Sequence, residues 1–222
     1  MAYSRRELFR GTLAGAVTAA FVGAYERPLS AQTSLTPEAA LQQLIEGNGR
    51  FAEGRMTSFN EDLSVLRAKT VEKQEPFAAV LSCADSRVPV ELIFDQSIGR
   101  IFVTRVAGNI ATSAVIASLE YGAAVLGTKA IMVLGHADCG AVHAAIEGEA
   151  VPGQISTLYP YIRPAVDQAG PDLTAAIKAN AKIQAALLRQ ASPVLAEQIK
   201  KNQLQIVAAY YDLATGKVSM LS

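Results

Sequence analysis

The chain has 222 residues, 50% of them apolar, which is enough for one sizeable hydrophobic core. Lysine plus arginine and aspartate plus glutamate number 20 each, so the formal charge is zero and the composition excludes a surface built for nucleic acid or another polyanion. With two cysteines and two histidines, any site of soft metal ligands must draw on those few residues.

The N-terminus differs in kind from the rest. Arg5 and Arg6 stand side by side, and Gly11 to Ala24 is uncharged, apolar and rich in small residues. That run falls short of the ~20 residues a spanning helix needs but suits the apolar region of an export signal. Paired arginines before it resemble a twin-arginine signal, with small-residue cleavage points after Ala24 or Ala31. Residues 1–31 are therefore expected to be a signal peptide and 32–222 a single catalytic domain, exported to the periplasm after folding in the cytoplasm. Cleavage after Ala31 removes four bases (Arg5, Arg6, Arg10, Arg27) and two acids (Glu7, Glu26), leaving a mildly acidic chain with no stable membrane insertion. Two cysteines in an exported chain read equally as a disulfide. Folding before export offers the alternative that both thiolates cross already coordinated.

Thr36 to Gly54 reads as a helix capped by Thr36, with Pro37 in its first turn and Gly47 and Gly49 weakening its middle. A short helix over Leu63 to Thr70 leads to a strand, Phe77 to Ser82. The next apolar run, Arg100 to Gly108, is followed by a helix over Ala111 to Gly127. A further strand, Lys129 to His136, leads to a helix over Cys139 to Glu149. Gln154 to Lys201 is helix-like, broken by Pro160, Pro164, Pro171 and Pro193. A last strand, Leu204 to Leu213, turns at Thr215–Gly216 into Lys217 to Leu221 as an edge hairpin. Strands alternating with helices predict an α/β chain. Its central sheet is mostly parallel and flanked by helices, with an antiparallel C-terminal edge hairpin.

In such sheets ligands bind at the carboxyl ends of strands. Cys83, Asp85 and Arg87 follow one strand end, and His136 and Cys139 follow another. Taken singly, Cys83 is a core thiol and His136 a hydrogen-bonded strand-end imidazole. Together they make a Cys2His set for tetrahedral zinc with one position left open, as catalytic rather than structural zinc requires. Cys139 heads a helix, whose dipole favours the thiolate. His143, one helical turn on, reads as surface or packing.

"CADSR" (Cys83 to Arg87) with "HADC" (His136 to Cys139) resembles the paired motifs of the β-class carbonic anhydrases. The resemblance extends through "GNGRF", "VTRVAGN", "SLEYG" and "AAYYDLATGKV", over roughly Thr36 to Leu221. It implies one zinc per chain on Cys83, His136 and Cys139, and an Asp85–Arg87 catalytic dyad. Asp85 would take the fourth position only in a closed resting form. It further implies that Gln74, Phe102, Tyr121 and Gly140 line the substrate cleft, in a homodimer or higher homo-oligomer. The reaction implied is reversible hydration of carbon dioxide to bicarbonate and a proton. A carbon disulfide or carbonyl sulfide hydrolase on the same fold is the alternative, and a zinc-stabilised exported domain without turnover a further one. Two thiolates cancel the formal charge of the zinc ion, so an alkaline activity profile is expected.

Overall fold

The strands Ala78–Ser82 (β1), Ile101–Arg105 (β2), Ala130–His136 (β3), Gln205–Tyr211 (β4) and Val218–Leu221 (β5) form one sheet in the order β2-β1-β3-β4-β5. β1 pairs in parallel with both β2 and β3, β3 pairs in parallel with β4, and β5 is antiparallel to β4. This computed structural model describes residues 33–58, 63–71 and 73–222. The arginine pair, the apolar run and both candidate cleavage points lie outside the described residues. No helix among the described residues is long and apolar enough to cross a membrane.

Every residue of β1 and β3 is buried, because helices cover both faces of a parallel sheet. The period-two alternation sorts their side chains. Ala78, Val80, Ala130, Met132 and Leu134 pack with the helices Pro37–Ala52 (α1) and Val90–Ile93 (α3). Ala79, Leu81, Ile131 and Val133 pack on the other face with Ser113–Glu120 (α4), Leu173–Ala191 (α7) and Pro193–Lys200 (α8). A third cluster joins Cys83 and Cys139 to Gly140–Glu147 (α5), Tyr159–Ala169 (α6) and the start of α7. Leu63–Thr70 forms the remaining helix, α2.

Four local features depart from, or add to, the expected pattern. Gly47 does not weaken α1; a Cβ there would lie 1.9 Å from the Phe94 carbonyl oxygen, so glycine is what lets α1 dock beside α3. Beside it, buried Asn48 donates to the carbonyls of Ile93 (3.2 Å) and Gly216 (2.8 Å) and accepts from the Val218 N–H (2.7 Å), tying α1 to the β4–β5 turn. The helix expected over Ala111 to Gly127 is α4 followed by a π-helical turn, Tyr121–Val125, where the Leu126 N–H reaches back to Tyr121. Pro164 does not break its helix: it lies inside α6, while Pro160 sits in the first turn, where a missing N–H costs nothing. Pro171 and Pro193 do fall at helix boundaries, beside the caps Asp172 and Ser192, which accept from the Ala175 and Leu195 N–H groups.

Candidate metal centre

The strand order reverses between β1 and β3: β2 lies on one side of β1, and the chain then crosses to place β3 on the other. Such a switch point opens a crevice at the carboxyl ends of the two strands. β1 ends at Ser82, in register with Leu134, so Cys83 emerges next to the end of β3 at His136. A two-residue turn through Asp138, at φ +54°, brings Cys139 back to the same spot. The ligand atoms of Cys83, His136 and Cys139 all lie within 4.8 Å of one another, and all three residues are buried.

The chemistry of this set fits a cation. His136 Nδ1 is 2.9 Å from the Ala137 carbonyl oxygen, which can only accept, so Nδ1 carries the proton and Nε2 presents a lone pair. That Nε2 is buried and has no hydrogen-bond partner among the described residues, a costly state for an imidazole unless an ion is meant to fill it. The Cys83 thiol is lowered, first by the hydrogen bond from Cys139, with the Gly108 N–H adding to it against the opposing effect of burial. Cys139 is pushed up, first by its hydrogen bond to Cys83, then by burial and by the charge on Cys83. The two shifts run in opposite directions because the thiols share one hydrogen bond, which makes Cys83 the more acidic sulfur of the pair; both would give up their protons to a bound cation. The Ala141 and Val142 N–H groups of α5 oppose that rise at Cys139.

Asp85 and Arg87 sit beside the cluster. Asp85 Oδ1 accepts from the Arg87 backbone N–H (2.8 Å) and from Nε (3.0 Å), and Oδ2 accepts from Nη2 (2.8 Å). This fork holds the Asp85 carboxyl down at about 2, and Arg87 is raised in turn, first by Asp85 and then by Asp138. Asp85 Oδ2 lies 3.9 Å from His136 Nε2, placing the carboxylate at the edge of the cluster. Arg87 Nη1 also reaches Asp138 Oδ2 (3.3 Å), bridging the two strand-end loops.

Residues not singled out from the sequence complete the frame. Arg105, the last residue of β2, donates to the carbonyl of Cys83 at 2.9 Å and to that of Asp85. Its signal was a guanidinium ending a strand that the register places opposite Ser82. Gly108 donates its N–H to Cys83 Sγ at 3.3 Å.

The expected cleft residues divide. Gly140 opens α5 directly beside Cys139, with open space where a Cβ would stand. Gln74 is exposed in the segment entering the amino end of β1, opposite the end that carries Cys83. Phe102, in register with Ala79, packs its ring 6.2 Å from that of Tyr121, and Tyr121 is 47% exposed. These three do not meet the cluster of their own chain. His143 is exposed beside Glu147, with no part in the cluster.

Comparison with known proteins bears on the whole arrangement. The carbonic anhydrase family model matches residues 78–218. Carbonic anhydrase 2 of Mycobacterium tuberculosis is 36% identical over 195 residues, covering 82% of this chain and 91% of that protein. The carbonic anhydrase of Mycolicibacterium smegmatis is 34% identical over 194 residues, covering 84% and 94%. Among solved structures, the Coccomyxa β-carbonic anhydrase in complex with acetazolamide superposes with a TM-score of 0.64 at 27% identity, covering 82% of this chain and 86% of that one. A family match running from the first residue of β1 to the first of β5, with relatives matched along most of their length, makes this chain a member of the β-class carbonic anhydrase family.

Proposed function

We infer that this chain hydrates carbon dioxide reversibly to bicarbonate and a proton, using zinc held by Cys83, His136 and Cys139. The observation that carries the reading is the buried, unpartnered His136 Nε2 facing two sulfurs, one of them an acidified thiol. Bound there, zinc supplies Lewis acidity that makes water a nucleophile at accessible pH. Three protein ligands leave one tetrahedral position for it to act at. The carbonyl of Ala137 fixes the imidazole tautomer, and the two thiolates neutralise the cation in a buried place. Asp85, kept ionised by Arg87 with Oδ2 3.9 Å from His136 Nε2, would accept a hydrogen bond from the activated water and so orient its lone pair toward the substrate carbon. Arg87 occupies both Asp85 oxygens, which keeps the carboxylate charged and favours its standing off the cation over the closed form. The curated relatives named above are carbonic anhydrases, which favours carbon dioxide over carbon disulfide or carbonyl sulfide.

Gln74, Phe102 and Tyr121 lie away from their own chain's cluster, and Tyr121 is exposed. They fit a homodimer or higher assembly in which one copy lines the cleft of another. Residues 1–31 act as a twin-arginine signal peptide and 32–222 as the catalytic domain, delivered folded to the periplasm. Sequencing the mature N-terminus from fractionated cells tests this; an intact Met1 chain in the cytoplasm refutes it.

The deciding experiment measures carbon dioxide hydration against pH, with metal analysis on the same sample and carbon disulfide and carbonyl sulfide as competing substrates. Zinc near one equivalent and a rate that rises into the alkaline range are expected. Metal-free protein with a Cys83–Cys139 disulfide, or turnover of carbon disulfide alone, overturns the reading.

A further inference from the structure

Two buried amides on α7 have no place in the reaction as described. Asn180 is 0% and Gln184 1% exposed. Unpaired amides in a helix packed against a sheet cost several kcal/mol, yet neither is idle. Gln184 accepts from the Ala111 N–H (2.8 Å) and donates to the Tyr161 carbonyl (2.9 Å) and to Asn180 Oδ1 (3.1 Å). Asn180, oriented by that bond, donates from Nδ2 to the carbonyl of Gly108 at 2.8 Å. Gly108 in turn points its N–H at Cys83 Sγ.

Gly108 stands at φ +75°, ψ 14°, inside the short turn Ala107–Asn109. The positive φ favours glycine, and a Cβ there would also lie 2.8 Å from Ile162 Cδ1 and force that methyl to move. A glycine is also the residue with the most backbone freedom to lose. Besides the bond to sulfur, the turn is held by the Val106 N–H to the Ser82 carbonyl (3.1 Å), the Asn109 N–H to the Val106 carbonyl (2.9 Å) and the Asn180 amide. The carbonyl side of this flexible glycine is therefore held by a side chain 72 residues away.

We propose that Asn180, held by Gln184, is a positioning residue for the metal centre: by pinning the Gly108 carbonyl it restrains the glycine whose own N–H, on the preceding peptide, donates to the Cys83 sulfur and draws charge away from that ligand. The inference rests on zinc being bound by Cys83, His136 and Cys139. Two thiolates leave the cation little net charge with which to activate water, so a hydrogen bond on one of them restores Lewis acidity. Removing it leaves Cys83 a more electron-rich donor and the cation a weaker acid.

Asn180→Leu removes the donor at nearly constant volume. In the full chain loaded with cobalt, the sulfur-to-cobalt charge-transfer band of this variant moves to lower energy. In the zinc-loaded variant, carbon dioxide hydration at neutral pH falls about tenfold to a hundredfold. The unmutated protein gives a second readout: loaded with cadmium-113, it shows scalar coupling between the metal and the Gly108 amide proton. A band unchanged in position in a zinc-competent Asn180→Leu variant, or no coupling at Gly108, overturns the relay alone. A wild-type chain that takes up none of these metals overturns the metal reading and the relay with it.

Discussion

Asp85 combines a thoroughly paired carboxylate with a position 3.9 Å from a metal-ligand nitrogen, and its value lies in staying ionised there. Its carboxyl is held at about 2 by Arg87, below the ordinary 3.8. A depressed carboxyl contributes stability that is complete above the ordinary value and lost as pH falls toward the folded one. The dyad is therefore intact at neutral and alkaline pH, where the reaction runs. Asp85→Asn and Arg87→Ala are each expected to lower carbon dioxide hydration about a hundredfold or more while zinc content holds, since the cluster of Cys83, His136 and Cys139 is left intact. Stopped-flow rates with metal analysis check this, and undiminished rates in both variants would remove the dyad from the mechanism. Asp95 presents a second case of the same physics away from the site. Burial alone would raise its carboxyl, but Arg50 and the backbone N–H groups of Ser58 and Thr57 reverse the sign and hold it below the ordinary value. Asp95→Asn should cost about 1–3 kcal/mol at neutral pH. Urea melts should show that gap beginning to narrow only below the ordinary carboxyl value of 3.8 and persisting at about pH 3, because the folded carboxyl stays ionised well below that value.

At the scale of elements, α1 is the instructive case. Its two glycines look alike in the sequence, and propensity penalises both by about 1 kcal/mol against alanine. In the fold they separate. Gly47 faces the Phe94 carbonyl at a distance no Cβ tolerates, whereas nothing lies within 4 Å of a Cβ at Gly49. Gly47→Ala should destabilise by about 1–3 kcal/mol or more through forced separation of α1 from α3. Gly49→Ala should be neutral or stabilise by up to about 1 kcal/mol. Thermal melts of the two variants side by side check the contrast; equal shifts would show that the approach of α1 relaxes freely. The "GNGRF" stretch thus carries three separate jobs: close approach at Gly47, a three-way clamp at Asn48, and a partner for buried Asp95 at Arg50.

For the whole molecule the open question is how many copies make a working site. Gln74, Phe102 and Tyr121 were expected around the substrate, and one chain does not deliver them to its own cluster. Light scattering should give a mass of two chains or more. Tyr121→Glu, which places a charge on an exposed aromatic surface, should shift the protein toward monomer and lower carbon dioxide hydration with it, with zinc per chain unchanged. Gln74→Ala should lower the rate without changing the mass. A fully active wild-type monomer would remove the partner copy from the site.

The pattern of chemistry was legible in the sequence because it is local. Cys83, Asp85 and Arg87 sit within five residues, and His136 and Cys139 within four, each group directly after an apolar run of strand length. The alternation of strands and helices, the cap at Thr36 and the C-terminal hairpin were readable for the same reason: each rests on neighbours in the chain. Packing decided the rest. The order of strands sets β1 against β3 and so brings the two motifs together. The Ala137 carbonyl selects the His136 tautomer, and Arg105 braces the Cys83 loop from β2. Asn180 and Gln184 gave no signal along the chain, because an amide on a helix acquires its meaning from the groups it faces. Those groups lie 72 and 73 residues away at Gly108 and Ala111, near only after the chain has folded. Residue type and spacing determined which atoms could bind a metal. Only the tertiary structure decided which lone pairs, N–H groups and charges meet there, because hydrogen bonds and burial act through space.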